Sequence, residues 1–394
     1  GGNCACFGHV YSTVRFLTSI LNYVGLCDYK EDNRSVTYHE RREHSKAHSS
    51  VDNIGPHPTM TSTMSRAGLY VLSGCSQPLI LTLLKDAGLA DPTCQLYMFF
   101  YSLGPATIIF PLLLEKAKWP STRMILKAAG ICLFDIVATV MNYTGASLAG
   151  PTIFSIVYSS VTIWTACFSQ IMLGRVMNAR QWMAVAVVFG GLVLTAVDSQ
   201  QLGEKVTHGL FLILAGSAMH AMTYIMSEGI MTVTKEVISA RQNNAIQSGV
   251  AAATLLLWQL FYTLPRWNER IWVPMQAAGT TMSYGLGILM LFSLSNLVHS
   301  STFFHTLRYF PGGSTSAGVM KGLQAVLVFV ATHFVYCGRT GGEEMCFTQA
   351  KLLSLVTVAG GVMGYGLATP REYEGATSTA GYEPVDNVAA LEIT

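Results

Sequence analysis

Ten times along its 394 residues this chain runs apolar and nearly uncharged for about the twenty positions that a helix needs to cross roughly 30 Å of hydrocarbon. The windows fall at approximately 67–84, 94–114, 122–143, 149–172, 180–197, 208–228, 245–264, 273–299, 313–336 and 350–369. Few folds accept such a pattern. In lipid every backbone polar group must be satisfied within its own segment, so an open sheet is excluded and helices are required. The expectation is an all-α membrane protein with ten transmembrane helices. Composition agrees: 12% of the residues are charged, against about a quarter in soluble domains.

One window carries a charge where it should not. Between Gly312 and Val330 a single lysine, Lys321, has eight or more uncharged residues on either side. A charge at membrane depth costs about 2.5–3.5 kcal/mol on insertion scales, and such a residue ordinarily faces a wet cavity or an opposite charge. The alternative is a side chain that snorkels to the nearer interface. Asp135 is read as the only acid deep in a span. It could pair with Lys321 in the absence of cargo, carry a proton in a coupled cycle, or pair with Lys127 two turns earlier.

Lys and Arg favour the even-numbered connections (Lys116, Lys118, Arg123, Arg175, Arg180, Lys235, Arg241, Arg308) over the odd-numbered ones (Lys85, Lys205, Arg266, Arg270, Arg339, Lys351). Seven more precede the first span, so both termini are expected in the cytosol. Residues 1–65 are read as a cytosolic tail, mostly disordered, with Val10 to Cys27 as an interfacial amphipathic helix. The chain opens on Gly1, which reads as a fragment or a processed form, and 371–394 as a second cytosolic tail. Cys75, Cys94, Cys132 and Cys167 are expected as packing residues, while Cys337 and Cys346 bracket a short non-cytosolic loop and could pair there if that side is oxidising.

The apolar core repeats itself. Gly150-Pro151, a hydroxyl-rich helix, a Gly174-Arg175 turn and Gly190-Gly191 are answered by Gly312-Gly313, the Lys321 helix, a Gly338-Arg339 turn and Gly360-Gly361. Each copy holds five spans, an odd number, so the second must lie upside down, giving two inverted five-helix repeats at 66–198 and 208–370. The glycine pairs suit close helix approach.

Within this frame, Ser169-Gln-Ile-Met-Leu-Gly-Arg175, Gln181-Trp182 and Val197-Asp-Ser-Gln200 resemble the end of the first repeat in nucleotide-sugar transporters of the drug/metabolite transporter superfamily. Val319-Met-Lys-Gly-Leu-Gln-Ala325 is similar to the Lys-Gly-Phe-Ala run of their ninth helix, and Gly364-Tyr-Gly-Leu-Ala-Thr-Pro370 to their closing segment. The resemblance implies an antiporter that exchanges a nucleotide sugar for a nucleoside monophosphate across a Golgi or endoplasmic reticulum membrane. It departs in lacking a second lysine near Val161 and in having Gly-Gly-Ser-Thr-Ser-Ala-Gly where sialic-acid-type members have Tyr-Ala-Asp-Asn.

Candidate binding residues follow from what such a cargo presents. Lys321 suits a phosphate as a compact point charge. Gln324, three residues on, shares its face, with an interhelical hydrogen bond as the alternative role. Ser155, Tyr158, Ser159 and Thr162 fall at i, i+3, i+4 and i+7, one helical stripe that would face Lys321 or simply join helices. In Arg241-Gln-Asn-Asn-Ala-Ile-Gln247 the amides of Asn243, Asn244 and Gln247 offer the donor and acceptor pairs that a base edge needs, the role that the resemblance implies. His299, His305 and Tyr224 read as anchors near helix ends.

No phosphate-binding loop of the ATPase type, metal-ligand pair on a span or nucleophile with an evident base is present, so no enzyme, cofactor or metal is expected and transport is read as secondary. Lipid is an expected partner, nucleic acid is not, and a homodimer is the open question of assembly. Two other readings stand: a carrier of another small metabolite in the same fold, and a non-transporting receptor or trafficking scaffold, to which Tyr382-Glu-Pro-Val385 would supply a sorting signal.

Overall fold

The structure, a computed structural model, describes residues 60–198, 204–234, 236–338 and 346–369. The expected amphipathic helix at 10–27, the rest of the N-terminal tail up to residue 59, and the C-terminal tail with its Tyr382 motif lie outside these residues. All regular elements among the described residues are helical: α1 (Met60–Asp86), α2 (Leu96–Ala106) continued by α3 (Ile109–Leu114), α4 (Thr122–Ala149), α5 (Pro151–Tyr158), α6 (Val161–Leu173), α7 (Ala179–Asp198), α8 (Glu204–Thr232), α9 (Ala240–Trp258), α10 (Val273–Ala277), α11 (Met282–Tyr309), α12 (Gly313–Tyr336) and α13 (Gln349–Ala368).

Local chemistry sets where they begin. Ser121, Thr281 and Thr348 cap α4, α11 and α13 by accepting a backbone N–H three residues on. Ser239 and Gln242 form a reciprocal capping box at the start of α9. Pro151 opens α5 after Gly150, whose φ of 83° is left-handed.

Nine helical segments among the described residues are long and apolar enough to cross a membrane. The 20-residue α7 takes the place of the predicted fifth span. Eight of the ten windows coincide with these helices to within a few residues at each end. The eighth does not: the expected 273–299 is displaced to Met282–Tyr309, because residues 259–277 form a chain of π, 3₁₀ and short α turns that α9 runs into. Pro265, Pro274 and Gly279, with its φ of 65°, interrupt a regular helix there. The fourth span is also broken, into α5 and α6 at Ser159–Ser160.

Packing between the halves comes in matched pairs. Helix α4 lies along α8 as α11 lies along α1, and α6 packs on α8 as α12 packs on α1. Three pairings are self-matched: α7 with α13, α6 with α12, and α2 with α9. Exchanging the first five spans with the last five maps the set onto itself, as a twofold between two inverted repeats requires. Glycines set the closest approaches. A Cβ on Gly361 would sit 3.0 Å from the Val188 backbone nitrogen and 3.1 Å from the Ala184 carbonyl oxygen, while one on Gly360 would meet nothing within 4 Å. Only one residue of each pair, Gly191 and Gly361, makes the α7–α13 contact that both were expected to serve. On the outer face Leu72, Phe110, Leu126, Phe211, Phe334 and Leu367 are exposed, the apolar coat that a lipid-facing surface presents.

Candidate functional site

Between the two halves lies a cavity of about 150 Å³ to which α1, α2, α4, α5, α8, α9, α11 and α12 contribute. Aromatic and amide-bearing side chains recur along its walls, and among the described residues it is lined by one ammonium, Lys321, and one carboxylate, Asp135.

Lys321 is 7% exposed, so it does not snorkel. Its Nζ lies 3.0 Å from His299 Nε2, 5.2 Å from the centre of the Tyr70 ring and 5.6 Å from that of Tyr158. The ring faces supply negative quadrupole to a cation. Among the described residues no carboxylate comes within 4.0 Å of it. The orientation of His299 follows from its neighbours: Ser73 Oγ sits 3.2 Å from Nδ1, and Tyr70 stacks on the ring at 4.8 Å between centroids. With Lys321 as an ammonium, which can only donate, Nε2 is the acceptor and the proton of a neutral imidazole resides on Nδ1.

His299 was expected near a helix end. The displacement of the eighth span to Met282–Tyr309 instead puts it deep in α11, facing the cavity. Tyr224 is corrected in the same way: it lines the cavity from within α8, its hydroxyl 3.2 Å from that of Tyr158.

The remaining predicted residues divide. Ser155 and Tyr158 line the cavity. Ser159 and Thr162 do not, because the break after Tyr158 turns them away: Ser159 Oγ donates to the Ile156 carbonyl, and Thr162 Oγ1 donates to the Gly318 carbonyl across the α6–α12 contact. Gln324 lines the cavity, but its amide donates to the Tyr70 carbonyl at 2.9 Å, the interhelical bond that was its alternative role. Gln247 reaches the cavity and donates to Ser227 Oγ and Asn243 Oδ1. Asn243 and Asn244 sit behind it, fully buried, their carbonyl oxygens occupied by Gln247 and by Ser248 and Ser300. Neither lines the cavity as it stands, and the Nδ2 group of each is buried with no partner among the described residues.

Asp135 pairs with neither lysine considered for it. Its Oδ1 lies 3.0 Å from His220 Nε2 and accepts from Thr223 Oγ1 at 2.8 Å. His220 was missed, although His220 and Tyr224 stand four residues apart on one helix face, which is the signal that could have found it. A second acid was missed too. The sixth window ended at residue 228, but α8 continues to Thr232 and buries Glu228 to 1% exposure. Arg175 forks onto both oxygens of Glu228 and donates to the Gly312 carbonyl at 2.9 Å, while the Ser314 backbone N–H donates to Glu228 at 2.8 Å. The carboxylate lies over Gly313, where a Cβ would collide with it, at the positive end of α12. This cluster ties α6 of the first half to α8 and α12 of the second, away from the cavity.

Residues 90–197 match the sequence profile of the EamA-like transporter family. No curated protein matches the chain at a significant level. A solved structure described only as "Crystal structure of protein" is similar in fold, with a TM-score of 0.57 and 14% identity over 76% of this chain and 98% of that one. The fold and the cavity thus define a multi-span helical membrane protein with a stretch similar to EamA-like transporters. The family match points to small-molecule transport.

Proposed function

We propose that this chain is a secondary carrier that moves a small anionic metabolite by exposing the central cavity to alternate sides, with 66–198 and 208–370 as the two repeats that rock about it. One observation carries the reading: Lys321 is a buried ammonium that faces a polar cavity with, among the described residues, no carboxylate beside it. A charge so placed is costly until an anion arrives. A receptor or scaffold has no need of such a hollow.

The particular exchange implied by the motifs is a nucleotide sugar for a nucleoside monophosphate in Golgi or endoplasmic reticulum, both termini cytosolic. In its favour, Tyr158 and Phe303 line the cavity with rings against which a base can pack, and the Cys337–Cys346 disulfide suits an oxidising lumen at its end of the bundle. Against it, Asn243 and Asn244 do not line the cavity, and their amide oxygens are already engaged. The cavity of about 150 Å³ also falls below the roughly 300–1,000 Å³ usual for drug-sized ligands. A nucleotide sugar therefore requires a more open state, whereas a smaller organic anion fits the present one. Purified protein in liposomes loaded with nucleoside monophosphates, and separately with small carboxylates, tests the reading through uptake of labelled counterparts. Lys321→Ala abolishes uptake of the true cargo; equal uptake by wild type and variant rejects the proposal.

A further inference from the structure

A second constellation in the cavity is built for something other than the anion. Asp135 is 34% exposed and His220 14% exposed, and that exposure is to the cavity both line. His220 Nε2 meets Asp135 at 3.0 Å, and its Nδ1 meets Tyr158 Oη at 3.1 Å and Asn142 Nδ2 at 3.4 Å. Tyr158 Oη in turn meets Tyr224 Oη at 3.2 Å, and the Tyr158 ring faces Lys321. A continuous polar path therefore runs from the carboxylate to the wall of the cation site.

Every member of this path accepts either protonation state. With neutral His220, Nε2–H donates to Asp135 and Nδ1 accepts from Tyr158 and from the Asn142 amide. With imidazolium, Nδ1–H donates to Tyr158, whose own O–H turns to donate to Tyr224, and Asn142 answers by turning its amide over. Asn142 Oδ1 is buried with no partner as it stands, so the turn brings a waiting acceptor to the ring. A histidine with an orienting carboxylate and partners that can reverse their polarity is a proton-binding site.

We propose that the Asp135–His220 pair binds a proton that travels with the cargo, making this a proton–anion symporter. The inference rests on the carrier reading above and adds its coupling ion. The balance is simple. Unprotonated, the pair carries one negative charge, which offsets Lys321 and leaves the empty cavity neutral. A proton taken from water makes the pair Asp⁻ with His⁺, net zero, and the cavity then carries the single positive charge of Lys321. An anion binds better to that state, and by linkage the anion raises affinity for the proton equally. Release of both on the far side restores neutrality. Among the described residues, the other charged or titratable groups lining the same cavity are Cys132 and Tyr143 on α4, Tyr101 on α2, Tyr158 on α5, Tyr224 on α8, His299 on α11 and Lys321 on α12, while α9 contributes Gln247, Ser248 and Ala251. Asp135 is the one carboxylate among them.

The test uses the full chain in liposomes with the membrane potential clamped and a pH-sensitive dye inside. Labelled uridine monophosphate, glutamate and lactate are the probes. Uptake of a probe without a pH gradient establishes the carrier. An inward proton gradient of one unit then drives about tenfold accumulation at one proton per anion, and the dye reports acidification that stops when the probe is omitted. In Asp135→Asn and His220→Gln, the ratio of uptake with and without the gradient falls to one. Asp135→Glu, which keeps the carboxylate, restores a ratio above one and separates coupling from misfolding. Transport indifferent to the gradient overturns the coupling but leaves the carrier standing; no transport of any probe overturns both.

Discussion

Lys321 and Glu228 are both buried charges, and the protein stabilises them in opposite ways. Glu228 is fully paired: a forked arginine, a backbone N–H and the positive end of α12 surround it. Lys321 has a neutral imidazole and two ring faces, which solvate a cation without cancelling it. The contrast makes Glu228 structural and Lys321 receptive. Removing one partner of a buried pair leaves the other uncompensated, at a cost of about 3–5 kcal/mol, and Arg175→Ala should fall toward the lower end because Arg175 is 35% exposed. The double variant Arg175→Ala with Glu228→Gln recovers part of the loss, measurable as the midpoint of thermal unfolding in detergent. Lys321→Ala, by contrast, raises thermal stability or leaves it unchanged while abolishing transport. The sequence made Lys321 legible because a lone charge in an apolar window has few explanations. The partners of His220 and Glu228 were not legible: Asp135 is 85 positions from His220, and Arg175 is 53 from Glu228, so only folding brings them together.

Among the helices, hydrophobic windows found the spans, but periodicity was misleading where side chains compete with the backbone. Ser155, Tyr158, Ser159 and Thr162 satisfy the spacing of one stripe, yet Ser159 bonds back to Ile156 and the helix breaks there, rotating Thr162 onto α12. The glycine pairs were likewise half right. Gly361 meets the backbone of α7, and a methyl group there forces the helices apart, so Gly361→Ala should destabilise by about 1–3 kcal/mol. Gly360→Ala meets open space and should stabilise by about 0.5–1 kcal/mol through helix propensity. Thermal melts of the two variants side by side check this; equal melts would refute the assigned contact.

Across the molecule, polar links join the halves around one end of the bundle. Arg241 pairs with Glu115 at 2.9 Å, Glu236 accepts from the Ser121 backbone at 2.8 Å, and the Gln242 amide donates to the Lys118 carbonyl at 2.6 Å. The Arg241 hydrogen bond holds the Glu115 carboxyl below its usual range, and the Ser121 hydroxyl and backbone do the same for Glu236. A depressed carboxylate contributes stability that is present above its unfolded value, about 4.3, and is lost as pH falls through the lower folded value. These exposed links should therefore leave unfolding midpoints unchanged from neutral pH to about 5 and lower them below about 4, an effect that salt weakens. At the opposite end Cys337 and Cys346 are bonded, with Cα atoms 4.7 Å apart. Alkylation before reduction leaves both unlabelled, and alkylation after reduction labels both.

What the sequence determined by itself is whatever follows from local composition: helical spans, their near-tenfold number, the repeat that turns the second half over, and one charge that must answer to a cavity. These are properties of single windows, each of which must satisfy its own backbone in lipid. Tertiary structure alone decided what the cavity contains. Which face of α11 looks inward depends on where the irregular segment before it lets the helix begin, and whether Asp135 meets a lysine or a histidine depends on how α4 packs against α8.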